Sequence, residues 1–477
     1  MLRERNRRRE KESEREREME NRAYRGHVLA LPYPSQGHVN PLLQFSKRLA
    51  SKGLKATVAT TVFIYNAMKP HNSPDGSVQF ETISDGYDEG GFLQAESIHA
   101  YLTRMEAKGS KTLSDLILKY KDTVNPIDCI IYDAFLPWAL EVAKMFGLLG
   151  AAFFTQTCAV NFIYYQVHHG LLKLPISSTP ISIPGFPLLD LEDMPSFISV
   201  SGSYPAYFAL VINQFSNADK ADWVLVNTFY ELELQVVDSM SKVCRLLTIG
   251  PTIPSFYLDN RIEKDTDYGL NLFTLDSSVC INWLNRKPAR SVVYASFGSM
   301  AGLSKQQMEE VAFALKGSDY LFLWVVRASE EANLPENFVE EVGDKGLVVQ
   351  WSPQLEVLSN KAVGCFLTHC GWNSTVEALG LAVPMVGMPQ WTDQSTNAKF
   401  VEDVWKVGIR VKIDDHENGI VGREQIQSCF REVMEGERGR EMKENAKKWR
   451  ALAVATISEG GTSDKNIDEF VSKVTSR

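Results

Sequence analysis

The sequence predicts an α/β protein of two domains, each built on a parallel sheet. Short apolar runs alternate with segments of helical spacing on both sides of residue 250, which is typical of parallel sheets covered by helices. Near residue 250 the sequence becomes rich in turn formers and charges, which indicates a linker. A chain of 477 residues is also longer than one hydrophobic core usually supports. We therefore expect an N-terminal domain over 24–250, a linker over 251–275, a C-terminal domain over 276–455 and a final helix over 456–477.

The first βαβ unit begins at His27. The run HVLALPY predicts a strand, PSQGH a turn, and LKATVAT from Leu54 the next strand. We expect the helix between them to run from Pro41 to Ala50, with Asn40 as its N-cap. Other apolar runs predict strands at 127–132, 149–154, 223–226, 291–298, 321–326, 346–350, 363–368, 383–388 and 408–412. The carboxyl ends of parallel strands share one edge of a sheet, and ligands bind there.

The composition excludes several classes of protein. Hydrophobic residues make up 44% and charged residues 23% of the chain, which is ordinary for a globular protein, and the net charge of −9 argues against a nucleic-acid partner. No apolar run is long enough to predict a membrane span or a secretory signal. The seven cysteines are odd in number, scattered and free of CxxC spacing, so we expect no disulfide framework or structural zinc and a cytoplasmic location.

The first 23 residues predict a charged, disordered extension. Between Met1 and Glu18 there are eight basic and six acidic side chains and almost no apolar ones. Such a segment cannot build a core, and its interleaved charges largely cancel.

The 44 residues from Trp351 to Gln394 carry polar and aromatic side chains at the ends of predicted strands. His369 ends one strand, and the sequence GWNS at 371–374 opens a helix, where free N–H groups and the helix dipole favour a diphosphate. Trp351 offers a flat surface for a base to stack on, although a core aromatic is an equally good interpretation of this residue alone. The segment therefore predicts a nucleotide-sugar pocket.

Two further pairs of polar residues follow strands of the second domain. Asp393 and Gln394 offer hydrogen-bonding groups to sugar hydroxyls, and helix capping by Asp393 is the competing interpretation. Ser296 and Ser299 lie in a turn whose small residues let the backbone approach a phosphate, and a plain tight turn would look the same.

In the first domain, His38 and Asp133 follow or end predicted strands and should meet at the same edge. An imidazole there can take a proton from an acceptor hydroxyl, and a carboxylate on its other nitrogen would fix the tautomer. Taken separately, a turn histidine and a helix-capping aspartate explain the two residues equally well. Their joint placement favours a general base, His38, with Asp133 as its partner.

The segment from Trp351 to Gln394 begins with Trp, ends in Asp-Gln and contains HCGWNS, and it resembles the signature box of the plant UDP-dependent glycosyltransferases of family 1. The resemblance implies two facing Rossmann-like domains, the GT-B fold, with a C-terminal helix that crosses back to the first domain. It also implies transfer of a sugar, usually glucose, from a UDP-sugar to a small lipophilic acceptor, with inversion and without a metal or other cofactor. The stretches PYPSQGH, FFTQTCA and THCGWNSTVEAL are most similar to a subgroup of glucose-ester-forming, thiohydroximate and triterpenoid glucosyltransferases.

The resemblance assigns roles to individual residues. His38 and Asp133 match the catalytic pair, Glu377 the ribose ligand, and Gln394 a position associated mainly with glucose. The expected residues of the UDP-sugar site are Gly37, Thr155, Ser296, Ser299, Trp351, Ser352, Gln354, His369, Gly371, Trp372, Asn373, Ser374, Glu377, Asp393 and Gln394.

The acceptor pocket is predicted only as a set of candidates in or near loops of the first domain. They are Tyr87, Phe135, Trp138, Cys158, Asn161, Met194 and Phe197, and each could equally be a core residue. An aromatic-rich set favours a phenolic, carboxylic-acid or terpenoid acceptor, and we expect a monomer. With a carboxylic acid, already ionised at neutral pH, the base at His38 would matter less.

Other functions fit the sequence less well. A UDP-sugar sensor without activity would need the box but neither His38 nor Asp133. An oxidoreductase or an ATPase would need a GxGxxG or GxxxxGK[ST] motif, and neither occurs. The one DxD motif, Asp265-Thr266-Asp267, lies in the charged linker with no strand before it, and we expect it to be solvated rather than metal-binding.

Overall fold

The computed structural model describes residues 24–68, 77–269, 278–412 and 419–476. The predicted extension over 1–23 and the end of the predicted linker lie outside these residues. Within them, the strands are β1 His27–Leu31, β2 Lys55–Thr61, β3 Val78–Ile83, β4 Cys129–Asp133, β5 Leu149–Phe154, β6 Trp223–Val226, β7 Leu246–Thr248, β8 Val292–Ser296, β9 Leu321–Val325, β10 Gly346–Val349, β11 Val363–Thr368, β12 Met385–Gly387 and β13 Gly408–Arg410.

The helices of the described residues cover both faces of the sheets. They are α1 Gln36–Ser51, α2 Val62–Met68, α3 Ile98–Lys121, α4 Trp138–Met145, α5 Cys158–His168, α6 Ser196–Ser199, α7 Pro205–Asn213, α8 Leu234–Met240, α9 Ser278–Leu284, α10 Lys305–Gly317, α11 Phe338–Val342, α12 Gln354–Ser359, α13 Trp372–Gly380, α14 Gln394–Lys399, α15 Arg423–Met434, α16 Glu437–Ile457 and α17 Thr462–Thr475. A π-helical segment, Phe400–Val404, directly follows α14.

The described strands form two parallel sheets. The order is β3-β2-β1-β4-β5-β6-β7 in the first sheet and β10-β9-β8-β11-β12-β13 in the second, and every neighbouring pair is parallel. Strand order reverses between β1 and β4 and again between β8 and β11. Such switch points open a crevice at the carboxyl ends of the strands, which is where α/β sheets bind ligands.

The central strands were predictable because helices cover both of their faces. Every residue of β1, β4, β5, β8 and β11 is buried, and a strand buried on both faces is a continuous apolar run. Two strands, β3 and β7, were not predicted from the sequence. β3, VQFETI, is a partly exposed strand at the edge of its sheet, and β7 has only three residues, so neither has that pattern.

The predicted start of the first helix is wrong. α1 begins at Gln36, with Ser35 as its N-cap, so Asn40 and Pro41 lie inside the helix. The N–H groups of His38 and Val39 already bond to the Ser35 carbonyl, at 3.0 and 2.9 Å. His38 therefore lies in the first helical turn instead of in a loop before the helix.

The predicted final helix corresponds to α17, and a longer helix, α16, precedes it. α16 and α17 are separated by residues 458–461, and α17 packs against the first sheet. Its Phe470 contacts Phe45 and Trp223, with ring centroids 6.1 and 5.1 Å apart. The last helix of the chain therefore completes the core of the first domain.

The linker carboxylate Asp265 is buried, so the expectation of a solvated DxD motif is wrong for this residue. Its Oδ1 accepts a hydrogen bond from Lys47 Nζ at 2.8 Å, and its Oδ2 accepts from the Ser255 N–H at 2.7 Å and from the Gln44 side chain. Sequence spacing cannot show these partners, because Gln44 and Lys47 lie more than 200 residues away on α1.

Candidate active site

A cavity of about 750 Å³ is lined by residues at the carboxyl ends of strands from both sheets. Tyr33, Phe135 and Thr155 follow strands of the first sheet, and Trp351 and His369 follow strands of the second. Every residue predicted for the UDP-sugar site lines this cavity: Gly37, Thr155, Ser296, Ser299, Trp351, Ser352, Gln354, His369, Gly371, Trp372, Asn373, Ser374, Glu377, Asp393 and Gln394. His38 also lines this cavity, and its ring contacts Asp133, which is buried behind it.

His38 and Asp133 form a hydrogen-bonded pair. His38 Nδ1 lies 2.7 Å from Asp133 Oδ2, and Thr155 Oγ1 lies 3.3 Å from the same nitrogen. Asp133 is fully buried, and its second oxygen accepts the Phe135 N–H at 3.0 Å. With Nδ1 donating to the carboxylate, His38 Nε2 is the nitrogen available to take a proton.

Pro41 explains an unusual contact between the two domains. A proline has no N–H, so within a helix it leaves the carbonyl four residues earlier without its usual partner. In α1 that carbonyl belongs to Gly37, and the Asn373 side chain donates to it at 2.8 Å. The backbone just before His38 is thereby joined to the start of α13 in the second domain.

The turns after β8 and β11 keep side-chain bulk away from His369. A Cβ atom at Gly298 or Gly371 would lie 2.7 or 2.4 Å from His369 Nε2, so glycine permits this close approach. Burial, with a contribution from nearby Arg327, lowers the pKa of His369 to about 4. At neutral pH the imidazole is therefore a neutral hydrogen-bonding group.

Glu377 is a buried carboxylate in a hydrogen-bond network. Its Oε2 accepts from Gln354 Nε2 at 2.7 Å, and the same nitrogen donates to Ser374 Oγ at 2.9 Å. Tyr294 donates to Gln354 Oε1 at 3.1 Å and lies 2.9 Å from Ser352 Oγ. Burial raises the pKa of Glu377 to about 7, although the hydrogen bonds that it accepts act in the opposite direction.

Asp393 and Gln394 are held by the turn and helix around them. Asp393 Oδ2 accepts from Asn397 Nδ2 at 2.8 Å, and that nitrogen also donates to the Cys370 carbonyl at 3.0 Å. Gln394 Oε1 accepts from the N–H groups of residues 390 and 391 at 2.8 and 3.1 Å, so its amide nitrogen is the end left for a ligand. Burial raises the pKa of Asp393 to about 6.

The wall on the first-domain side is mainly aromatic. Phe135 and Phe197 line it, as two of the acceptor candidates were expected to. Trp391 of the second domain joins this wall, with its ring 5.8, 5.5 and 5.7 Å from those of Phe197, Tyr204 and Tyr207. Residues of the same wall that were absent from the candidates include Tyr33, Ile64, Phe92, Tyr101, Tyr207, Leu210 and Val211.

Five acceptor candidates do not line the cavity: Tyr87, Trp138, Cys158, Asn161 and Met194. Cys158, Asn161 and Met194 are fully buried in the first domain. Tyr87, which stacks on Tyr101, and Trp138, which packs against Gly109, are half-buried and do not line the cavity either. The structure therefore places all five residues away from the cavity wall.

Comparison with known proteins decides the family. The model of the family described as "UDP-glucoronosyl and UDP-glucosyl transferase" matches residues 87–452. The chain belongs to this UDP-glycosyltransferase family. UDP-glycosyltransferase 74F2 of Arabidopsis thaliana is 59% identical over 457 residues, which are 95% of this chain and 99% of that protein. Flavonol 7-O-beta-glucosyltransferase UGT74F1 of the same plant is 57% identical over 454 residues, which are 94% of this chain and 98% of that protein.

A solved structure is similar to this UDP-glycosyltransferase over nearly its whole length. Os79 from O. sativa, in complex with UDP, is 41% identical with a TM-score of 0.88, and the match covers 94% of this chain and 100% of that chain. The resemblance to plant UDP-dependent glycosyltransferases, and the expected fold of two facing Rossmann-like domains, are confirmed.

Several cavity residues of this UDP-glycosyltransferase were absent from the prediction. Arg327 follows β9, so the rule about carboxyl ends of strands could have found it. Trp391 stands two residues before Asp393 inside the signature box. Tyr268, which donates to Glu377 Oε1 at 2.7 Å, lies in the linker, where no motif marks it.

Two further properties hold for the described part of the chain. No helix there is long and apolar enough to cross a membrane, and no three His, Cys, Asp or Glu side chains are grouped as metal ligands. The seven cysteines all fall within it as free thiols.

Proposed function

We propose that this UDP-glycosyltransferase is an inverting UDP-glucose-dependent glucosyltransferase that acts on a hydroxyl or carboxyl group of a small lipophilic plant metabolite. The observation that carries the proposal is the 2.7 Å pair of His38 and the buried Asp133, because His38 lines the same cavity as the residues of the signature box. A protein that only binds UDP-sugar would gain nothing from a buried carboxylate that orients a histidine beside the sugar.

The reaction is a single displacement. His38 Nε2 accepts the proton of the acceptor hydroxyl while the acceptor oxygen attacks the anomeric carbon and the bond to the UDP oxygen breaks. Asp133 keeps the His38 tautomer with its proton on Nδ1 and stabilises the imidazolium that forms. Attack from the face opposite UDP converts an α-linked donor into a β-glucoside, with UDP as the second product.

The leaving diphosphate is stabilised by groups of the second domain. The first N–H groups of α13, the neutral imidazole of His369 and the Ser374 hydroxyl are the proposed donors, with the turn at Ser296 and Ser299 beside them. We propose that these groups suffice without a metal ion. Activity that persists in EDTA would support this, and activity that is lost and then restored by a divalent cation would contradict it.

The remaining donor contacts follow the order of the signature box. Trp351 stacks on uracil, Glu377 accepts the ribose hydroxyls, and Asp393 with Gln394 holds the hexose. The exposed side of the hexose faces Thr155 and His38 in this proposal. Glucose is the proposed donor sugar because Gln394 matches a position that is associated mainly with glucose in the family that the signature box resembles, and because its amide nitrogen is the end left for a ligand.

The proposed acceptor class is based on the aromatic wall of the cavity and on the names of two similar proteins. One relative is a flavonol 7-O-beta-glucosyltransferase, and another, Mogroside I-E synthase of Siraitia grosvenorii, is 48% identical over 446 residues. Aromatic side chains favour a planar or polycyclic acceptor of similar polarity. We also propose that the enzyme works in the cytoplasm as a monomer.

The test is incubation with UDP-glucose and a panel of flavonols, phenolic acids and triterpenols, followed by mass measurement of the products. A gain of one hexose and a β-anomeric proton in the product support the proposal. UDP-glucose binding without product for any acceptor would contradict it. His99→Ala, which changes an exposed histidine outside the cavity, is the matched control for variants at His38.

A further inference from the structure

The donor half of the cavity is the part lined by Trp351, Glu377 and Gln394, and the interdomain linker reaches it at Tyr268. Thr266, Asp267 and Tyr268 all contribute to the cavity wall, and the Tyr268 hydroxyl donates to Glu377 Oε1 at 2.7 Å. The composition of this linker predicts a solvated segment, yet the linker supplies the side chain of Tyr268 to the cavity, where it contacts Glu377.

The first domain holds this part of the linker in place. Lys47 of α1 donates to Asp265 Oδ1 and to the carbonyl of Asp267, both at 2.8 Å. Further along the same helix, Arg48 forms an ion pair with Asp259, 2.7 Å between Nη1 and Oδ2. Tyr268 therefore extends from a segment anchored on α1, the helix that carries His38 at its other end.

The two oxygens of Glu377 are held by different parts of the molecule. Oε2 accepts from Gln354, a neighbour in the second domain, and Oε1 accepts from Tyr268 of the linker. Burial favours the protonated carboxyl and raises its pKa to about 7, whereas both hydrogen bonds favour the ionised form. Among the described residues, Tyr257 on the linker and Tyr294 on β8 are titratable groups that also interact with Glu377.

We propose that Tyr268 is a positioning residue of the ribose subsite, where its hydroxyl keeps the Glu377 carboxylate ionised and oriented to accept the ribose hydroxyls. The inference rests on the proposed role of Glu377 as the ribose ligand. Tyr268 acts on Glu377 and is not a catalytic residue. Since the linker is anchored on α1, the same hydrogen bond links donor binding to the helix of the general base.

Tyr268→Phe removes the hydroxyl and keeps the ring. Without this donor the pKa of Glu377 rises further, so at pH 7 a larger fraction of the carboxyl is protonated. We expect the Kd for UDP at pH 7 to rise roughly tenfold, as for the loss of a hydrogen bond to a charged group, and the KM for UDP-glucose to rise with it while kcat stays nearly constant. The loss should shrink as the pH is raised from 7 to 9, because the carboxyl then ionises in the variant as well.

The ratio of the two Kd values, variant over wild type, is measured by calorimetry at several pH values, so that the ionisation of UDP itself cancels. Tyr320→Phe is the matched control, because Tyr320 donates to Glu435 Oε1 at 2.8 Å in the same domain but outside the cavity. A ratio that falls with pH for Tyr268→Phe and stays near one for Tyr320→Phe supports the inference.

Two outcomes overturn it. One is an unchanged Kd, and the other is a loss equal at all pH values, which would indicate that the hydroxyl only stabilises the linker. Glu377→Gln separates this inference from the proposed function: if that variant binds UDP like wild type, the ribose role of Glu377 fails. If Glu377→Gln binds UDP weakly and Tyr268→Phe does not, only the inference about Tyr268 fails.

Discussion

The donor half and the acceptor half of the cavity are built from different kinds of contact. In the donor half, Glu377 and Asp393 are each held by side-chain hydrogen bonds of 2.7 to 2.8 Å. In the acceptor half, apart from the His38 pair, aromatic rings such as Phe197 and Trp391 pack against each other with centroids 5 to 6 Å apart. Directional polar contacts demand particular residues at particular positions, whereas packed rings only set a shape. The residues of the donor site can therefore be recognised from the sequence, whereas different sets of aromatic residues could form the acceptor site.

The largest effect should come from the His38–Asp133 pair of the acceptor half. His38→Ala removes the general base, and we expect kcat for phenol or alcohol acceptors to fall by about 10² to 10⁴ while the Kd for UDP stays unchanged. For carboxylic acids, ionised at neutral pH, the loss should be small. Steady-state kinetics with matched phenol and carboxylate acceptors checks this. Equal losses for both acceptor types would remove His38 from the role of base.

The next effect should be confined to the donor half. Gln394→Glu keeps the oxygen atom that accepts the N–H groups of residues 390 and 391, but replaces the amide nitrogen with a second oxygen. We expect the KM for UDP-glucose to rise about tenfold, since a donor to the hexose is lost, and the Kd for UDP to stay the same. A parallel loss of UDP affinity would show that Gln394 supports the diphosphate turn instead of the sugar.

A smaller effect tests where the two halves meet. Trp391 belongs to the donor domain but packs with the aromatic wall of the acceptor half, so Trp391→Leu should raise the acceptor KM by roughly fivefold, the scale of one aromatic contact. The KM for UDP-glucose should change little. Trp283→Leu, at a half-buried tryptophan outside the cavity, is the control. If the donor KM changes more than the acceptor KM, Trp391 belongs functionally to the donor half.

The smallest effect concerns pH. Burial raises the pKa of Asp393 to about 6, with Asn397 and the charge of His38 across the cleft acting in the opposite direction. The ionised carboxylate is the form that accepts a hexose hydroxyl, so its contribution to UDP-glucose binding should increase as the pH rises through about 6. We expect the ratio of the Kd values for UDP-glucose, Asp393→Asn over wild type, to increase about threefold between pH 5 and 7.5. A ratio that stays constant over this range would assign the titration to another group.

The donor site was largely predictable because its chemistry is local in sequence. The strand that ends at His369, the turn at Gly371 and the helix that follows lie within one stretch, so residue type and predicted strand ends are enough to place them. The positions of these side chains in one cavity follow from the parallel sheet alone. What their spacing could not reveal is that Gln354 and Asn397 hold other residues of the site in place.

Pro41 shows why the start of α1 could not be predicted. The general preference for proline in the first turn of a helix is correct on average, but here an interior proline frees the Gly37 carbonyl for Asn373, 336 residues away. The burial of the linker carboxylates could not be predicted for the same reason. Asp259 and Asp265 form ion pairs with Arg48 and Lys47, which lie on a helix distant in sequence. The structure at such positions depends on residues that are distant in the sequence, so the local sequence does not reveal it.

The packing of α17 on the first domain has a consequence for how the protein is synthesised. Ile467, Phe470, Val471 and Val474 share one buried cluster with Val28 of the first strand. Translation produces the N-terminal half first, yet one wall of its core is absent until the last helix, 14 residues long, has left the ribosome. Until α17 has been synthesised, the apolar surface that it covers on the first domain stays exposed, and exposed apolar surface of this kind makes a folding intermediate prone to aggregate.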